Sequence, residues 1–192
     1  MQLWCFLPCV RAAVLLAAMA CVQGPACAQD RAESKGRDGP LELPDAIAGI
    51  LHYTRWPAPT DPLRLCVNER DADAALIVRR FEAGYRDLPR VLPLLKRISI
   101  ELANEPLDCH AVFFGRMPGK EAQAVLLRLG RHPVLTIGRD EDFCSYSGLF
   151  CLSAMPGGGL HIGVNLDSIA RNGLRVNPML LKLTTREPRS RP

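Results

Sequence analysis

A chain of 192 residues with a formal charge of +4 has room for one ordinary domain and carries only a slight excess of base. Its Lys and Arg are interleaved with acids and no aromatic stripe accompanies them, which argues against a nucleic-acid surface. Its one prominent apolar run is shorter than the roughly 20 residues a membrane-spanning helix needs.

That run opens the chain. Ala12 to Ala20 reads AAVLLAAMA, and Arg11 is the only basic residue in the first 28. Gly24-Pro25 then breaks any helix, and Ala26-Cys27-Ala28 puts small residues where a signal peptidase needs them. The expectation is a cleavable secretory signal over residues 1–28 and a mature protein in the periplasm. Met19-Ala20-Cys21 offers a different outcome, a lipoprotein cut before Cys21, although Ala18 stands where Leu is preferred. Residues 29–42 are largely polar and charged and read as a flexible tether; residues 186–192 (REPRSRP) read as a disordered tail. The folded domain is expected over residues 43–185.

Leu43 to Arg55 reads as a helix capped by Asp45 and stopped by Trp56-Pro57. Leu63 to Val67 alternates as a strand, with Leu63, Leu65 and Val67 on one face and Arg64 and Cys66 on the other. A helix is expected over Asp71 to Glu82, with Ala75, Leu76, Val78 and Phe81 as its apolar side. A second strand lies within Arg90 to Ile100, and Pro93 keeps its start away from a central position. Cys109 to Gly115 reads as a strand buried on both faces, Lys120 to Leu129 as a helix and Pro133 to Ile137 as another buried strand. Asp140 to Tyr146 reads as an acidic loop. Leu149 to Leu152 and Leu160 to Val164 read as strands joined by the turn Pro156-Gly157-Gly158-Gly159. Short helices follow at Asp167 to Asn172, ended by Gly173, and at Met179 to Leu183. Alternating strands and helices with a closing hairpin predict an α/β fold: a single domain, its mostly parallel central sheet flanked by helices.

Of eight cysteines, Cys5, Cys9, Cys21 and Cys27 belong to the signal, leaving Cys66, Cys109, Cys144 and Cys151. Four cysteines allow three pairings, with free thiols as a further alternative. Cys66–Cys109 would join two strands able to be neighbours, and Cys144–Cys151 would pin a loop to the strand after it.

No chemistry-bearing constellation stands out. Cys109, His110, Cys144, Cys151, His52, His132 and His161 include zinc-ligand types but lack the close spacings of zinc sites, so neither metal nor cofactor is expected. Ser145 and Ser147 lack the strand-turn-helix setting of a hydrolase nucleophile. Gly157 to Gly159 precede a strand where a phosphate cradle needs a helix. Asp140, Glu141 and Asp142 read as solvated. Tyr53, Arg55 and Trp56 are different: Tyr, Arg and Trp concentrate at binding hot spots, and here they cluster at a helix end. The plainer alternative for Trp56 is to fill the core beneath that end.

Several segments in order resemble the YfiR family: IAGILHYTRWP (47–57), LRLCV (63–67), PVLTI (133–137), FCL (150–152) and VNLDSIARNGLRVNP (164–178), with the four cysteines in sequence among them. The resemblance implies a non-enzymatic, homodimeric periplasmic protein with two disulfides. Such a protein represses an inner-membrane diguanylate cyclase, YfiN-like, by binding its periplasmic sensor part, and so lowers cyclic-di-GMP and biofilm formation. It also implies an outer-membrane lipoprotein, YfiB-like, that draws the repressor away. A competing expectation is a periplasmic small-ligand-binding module, using the crevice that open α/β sheets offer at strand C-termini.

Overall fold

The computed structural model describes residues 40–85, 93–99, 108–130 and 132–184. The expected signal, nearly all of the tether and the tail lie outside the described residues. Helix α1 spans Leu43–Tyr53; Glu42 is its N-cap and Pro44 occupies its first turn, so Asp45 lies within the helix and does not cap it. Thr54–Arg55, expected as the helix end, forms strand β1 instead. Then come β2 (Arg64–Asn68), α2 (Ala74–Glu82), β3 (Leu94–Ile98), β4 (Ala111–Gly115), α3 (Gly119–Leu129) and β5 (Leu135–Gly138). The last third holds α4 (Asp142–Ser145), β6 (Phe150–Ala154), β7 (Leu160–Val164), α5 (Leu166–Asn172), β8 (Arg175–Val176), a 3-10 turn at Pro178–Leu180 and α6 (Leu181–Thr184).

Six strands form one sheet in the order β3-β2-β4-β5-β6-β7, parallel except for the β6–β7 hairpin. The α/β class and the mostly parallel sheet follow the sequence expectation. Pro93 leads into β3, which takes the edge position that a proline permits. Gly157, Gly158 and Gly159 all have positive φ (87°, 99° and 85°), the conformation their turn requires.

The strand period of two splits the core. Leu65, Val67, Ala111, Phe113, Leu135, Ile137, Phe150 and Leu152 face α1, α2 and the C-terminal elements. Cys66, Val112, Phe114 and Cys151 face the other way, toward α3 and α4. The face of α2 departs from expectation: Ala74, Ile77 and Phe81 are buried, whereas Leu76 is 44% exposed. The helix begins at Ala74 and not at Asp71, because Asp71 is engaged in the preceding loop. The acidic loop after β5 contains one helical turn, α4, whose Phe143 ring enters a space left by Gly138 and Gly148.

Candidate functional site

Strand order reverses between β2 and β4, and the crevice at their C-terminal ends is where open α/β sheets usually take ligands. Here that crevice is filled from within. The Asp71 carboxylate accepts the backbone N–H of Asp73 at 2.9 Å through Oδ1 and that of Arg116 at 2.9 Å through Oδ2. Gly115, with φ 68°, lets the carboxylate approach so closely that a Cβ there would overlap it. Asn68 donates Nδ2 to the Phe114 carbonyl, and Arg139 Nη1 pairs with Asp73 Oδ2 at 2.9 Å. At the strand C-termini an internal carboxylate thus takes the position of a bound anion.

The opposite end of the sheet carries Tyr53, Arg55 and Trp56. The segment turns out of α1 through local bonds. Thr54 Oγ1 donates to the Ile50 carbonyl at 2.7 Å, and Arg55 Nη1 donates to the carbonyls of His52 and Thr54 at 2.6 and 2.9 Å. These satisfy acceptors that a helix C-terminus leaves open. β1 then pairs with β8, placing Arg55 directly opposite Arg175, and Asn177 N–H extends the ladder to the Tyr53 carbonyl. Both arginines are exposed. Like charges directly opposite one another are unfavourable, so this pair maintains a positive spot on the surface.

Trp56 is half-buried at the edge of the larger core, and its Nε1 donates to the His110 carbonyl at 3.0 Å. His110 immediately precedes β4, which ties the segment after α1 to the N-terminal end of the sheet. The imidazole Nδ1 accepts Arg64 N–H at 3.0 Å. Burial, and then the Arg64 guanidinium, hold the His110 pKa below its ordinary value, while Asp108 opposes them. The neutral ring with Nδ1 as acceptor carries its proton on Nε2, as the hydrogen-bond network assigns it. Beside Trp56 opens a cavity of about 220 Å³, walled by the segment 56–60, residues 109–110, the end of α3 and residues 132–134.

Both expected disulfides are closed. Cys66–Cys109 joins β2 to the residue before His110, and Cys144–Cys151 joins α4 to β6. The remaining candidates do not converge. Among the described residues no group of three or more His, Cys, Asp or Glu is placed to hold a metal. Ser145 ends α4, Ser147 lies in the following turn with φ 74°, and neither has a His hydrogen bond among those described. Asp140 Oδ1 accepts the N–H of Asp142, a local loop bond. Sequence reasoning missed the Arg55–Arg175 opposition, because two-residue strands leave no periodic signal. It also missed the Asp71 clasp, which depends on a residue 45 positions away.

Residues 45–185 match the YfiR/HmsC-like family model, and the chain belongs to that family.

Proposed function

We propose that this YfiR/HmsC-like protein is exported to the periplasm, keeps both disulfides there and acts by binding. Its target is the periplasmic sensor part of an inner-membrane diguanylate cyclase, which it holds inactive and so lowers cyclic-di-GMP and biofilm formation. The observation that carries this reading is the family match over residues 45–185. The two closed bridges support it, since they suit an oxidising compartment. So does the filling of the switch-point crevice by Asp71, which leaves recognition to the surface at the other end of the sheet.

The reading carries its parts with it. Residues 1–28 are a cleaved signal, 29–42 a tether, 43–185 the binding domain and 186–192 a tail. The protein acts as a homodimer, and a YfiB-like outer-membrane lipoprotein withdraws it from the cyclase. Tyr53, Arg55 and Trp56 contribute to the partner surface, with Arg175 beside Arg55. Paired guanidiniums favour an acidic patch on the partner.

The test is genetic and biochemical together. Deletion of this protein is expected to raise cellular cyclic-di-GMP, and the mature oxidised chain to co-purify with the periplasmic part of the cyclase. Unchanged cyclic-di-GMP after deletion would remove the repressor reading.

A further inference from the structure

The cavity beside Trp56 has a chemistry that partner binding at the exposed arginines does not use. Trp56 forms one wall and is fixed in place, its Nε1 committed to the His110 carbonyl at 3.0 Å. Leu129 and Val134 supply apolar surface opposite. Beside Thr60 the polar lining is basic: His110, Arg128 and His132 contribute, and no carboxylate lines the cavity among the described residues. At about 220 Å³ the space falls below the ~300–1,000 Å³ of sites for drug-sized ligands, so it suits a single ring.

The basic lining gives the second half of the recognition. With Nδ1 accepting from Arg64 N–H, the neutral ring presents Nε2–H as a donor. That atom lies 3.4 Å from Arg64 Nη2, itself only a donor. Asp108 Oδ1 bonds Arg64 Nη2 at 2.8 Å, but no bond from Asp108 to His110 Nε2 occurs among the described residues. Arg128 and His132 add two further cationic or donor groups around the same cavity.

We propose that the cavity beside Trp56 binds a one-ring aromatic carboxylate, its ring against the indole and its carboxylate among the basic lining residues His110, Arg128 and His132. The proposal does not rest on the regulatory reading; a ligand here could be bound by the protein with or without a cyclase. The fixed Trp56 and the proline-rich segment 57–59 mean that little ordering is needed on binding.

Trp56 itself reports the result. The chain has two tryptophans, Trp4 and Trp56, and removal of residues 1–28 leaves Trp56 alone. The mature, oxidised protein is titrated with benzoate, benzyl alcohol and cyclohexanecarboxylate, followed by tryptophan emission and by calorimetry. Benzoate should give a saturable change, and the ring without the acid and the acid without the aromatic ring should each bind at least about tenfold more weakly. Val134→Phe, which fills the cavity, should abolish the benzoate response. Arg128→Gln, on the exposed side of α3, should weaken benzoate several-fold and leave benzyl alcohol unchanged. If Val134→Phe fails to fold by circular dichroism, Arg128→Gln decides alone. No saturable response up to ~10 mM benzoate, equal affinity for all three probes, or wild-type benzoate affinity in the folded variants would overturn the proposal.

Discussion

Gly115→Ala is the sharpest probe of the closed crevice. Gly115 sits at φ 68°, where an L side chain costs roughly 1–2 kcal/mol. Its new Cβ would also overlap the Asp71 carboxylate. To relieve that contact Asp71 must leave the N–H groups of Asp73 and Arg116, each now 2.9 Å from one of its oxygens. A hydrogen bond to a charged group contributes about 1.5–3 kcal/mol, so the total is about 2.5–5 kcal/mol if one is lost and about 4–8 kcal/mol if both are. Domains are typically stable by ~5–15 kcal/mol, so the loss is large. Urea unfolding of the oxidised protein measures it, and a double-mutant cycle identifies its source. In an Asp71→Ala background the steric and hydrogen-bond terms are already gone, and Gly115→Ala should cost only the ~1–2 kcal/mol of backbone strain. Equal losses from Gly115→Ala in both backgrounds would show that the carboxylate does not fill the crevice as described.

The bridges should differ in strength by loop length. With separations of 43 and 7 residues, the chain-entropy model assigns about 4 kcal/mol to Cys66–Cys109 and about 2.5 kcal/mol to Cys144–Cys151; urea midpoints of the two paired Cys→Ala variants test this, and the reverse order would contradict it. The depressed pKa of His110 means that on acidification the unfolded chain takes up the proton first. Stability should therefore rise with pH from below the folded value up to the unfolded value near ~6.5, and His110→Gln should remove that part of the slope. Burial and the Asp45 carboxylate raise the pKa of Tyr85, so its contribution should be present below about pH 10 and lost above it; Tyr85→Phe should flatten the alkaline limb of the stability profile. Arg55→Glu places a carboxylate opposite Arg175, so folding stability should hold or increase slightly while binding to the cyclase sensor part proposed as its partner should weaken. Normal affinity in that variant would remove Arg55 from the partner surface.

The sheet was legible because its signals are local. Leu65, Val67, Phe113 and Ile137 alternate with Cys66, Val112 and Phe114, and that alternation is what divides the two cores. Pro93 marked an edge, and the glycines 157–159 marked a turn. What failed depends on long-range contacts. Leu76 is apolar and adjoins Ala75 and Ile77, but the face of α2 turned to the core is Ala74, Ile77 and Phe81, and residue type alone does not select it. Phe143 lies in an acidic stretch, and its burial comes from the space at Gly138 and Gly148. Tyr53, Arg55 and Trp56 were visible as unusual residues, yet the Arg55–Arg175 register and the bond from Trp56 to His110 required the fold.

The two ends of the sheet differ in how their charged groups are partnered. At the C-terminal end, two backbone N–H groups that could hold a bound anion already hold Asp71, and Arg139 is committed to Asp73. An incoming phosphate would have to displace a carboxylate that is covalently part of the chain and therefore always present. At the N-terminal end Asp108 pairs with Arg64, Arg55 faces Arg175, and the polar side chains lining the cavity are Thr60, His110, Arg128 and His132. Cys109 neighbours His110, whose carbonyl holds Trp56, so the Cys66–Cys109 bridge anchors the same end. A usual ligand crevice occupied by the chain's own carboxylate, and an opposite end cross-linked and carrying the Arg55–Arg175 pair, are the two features on which the proposed acidic partner surface rests.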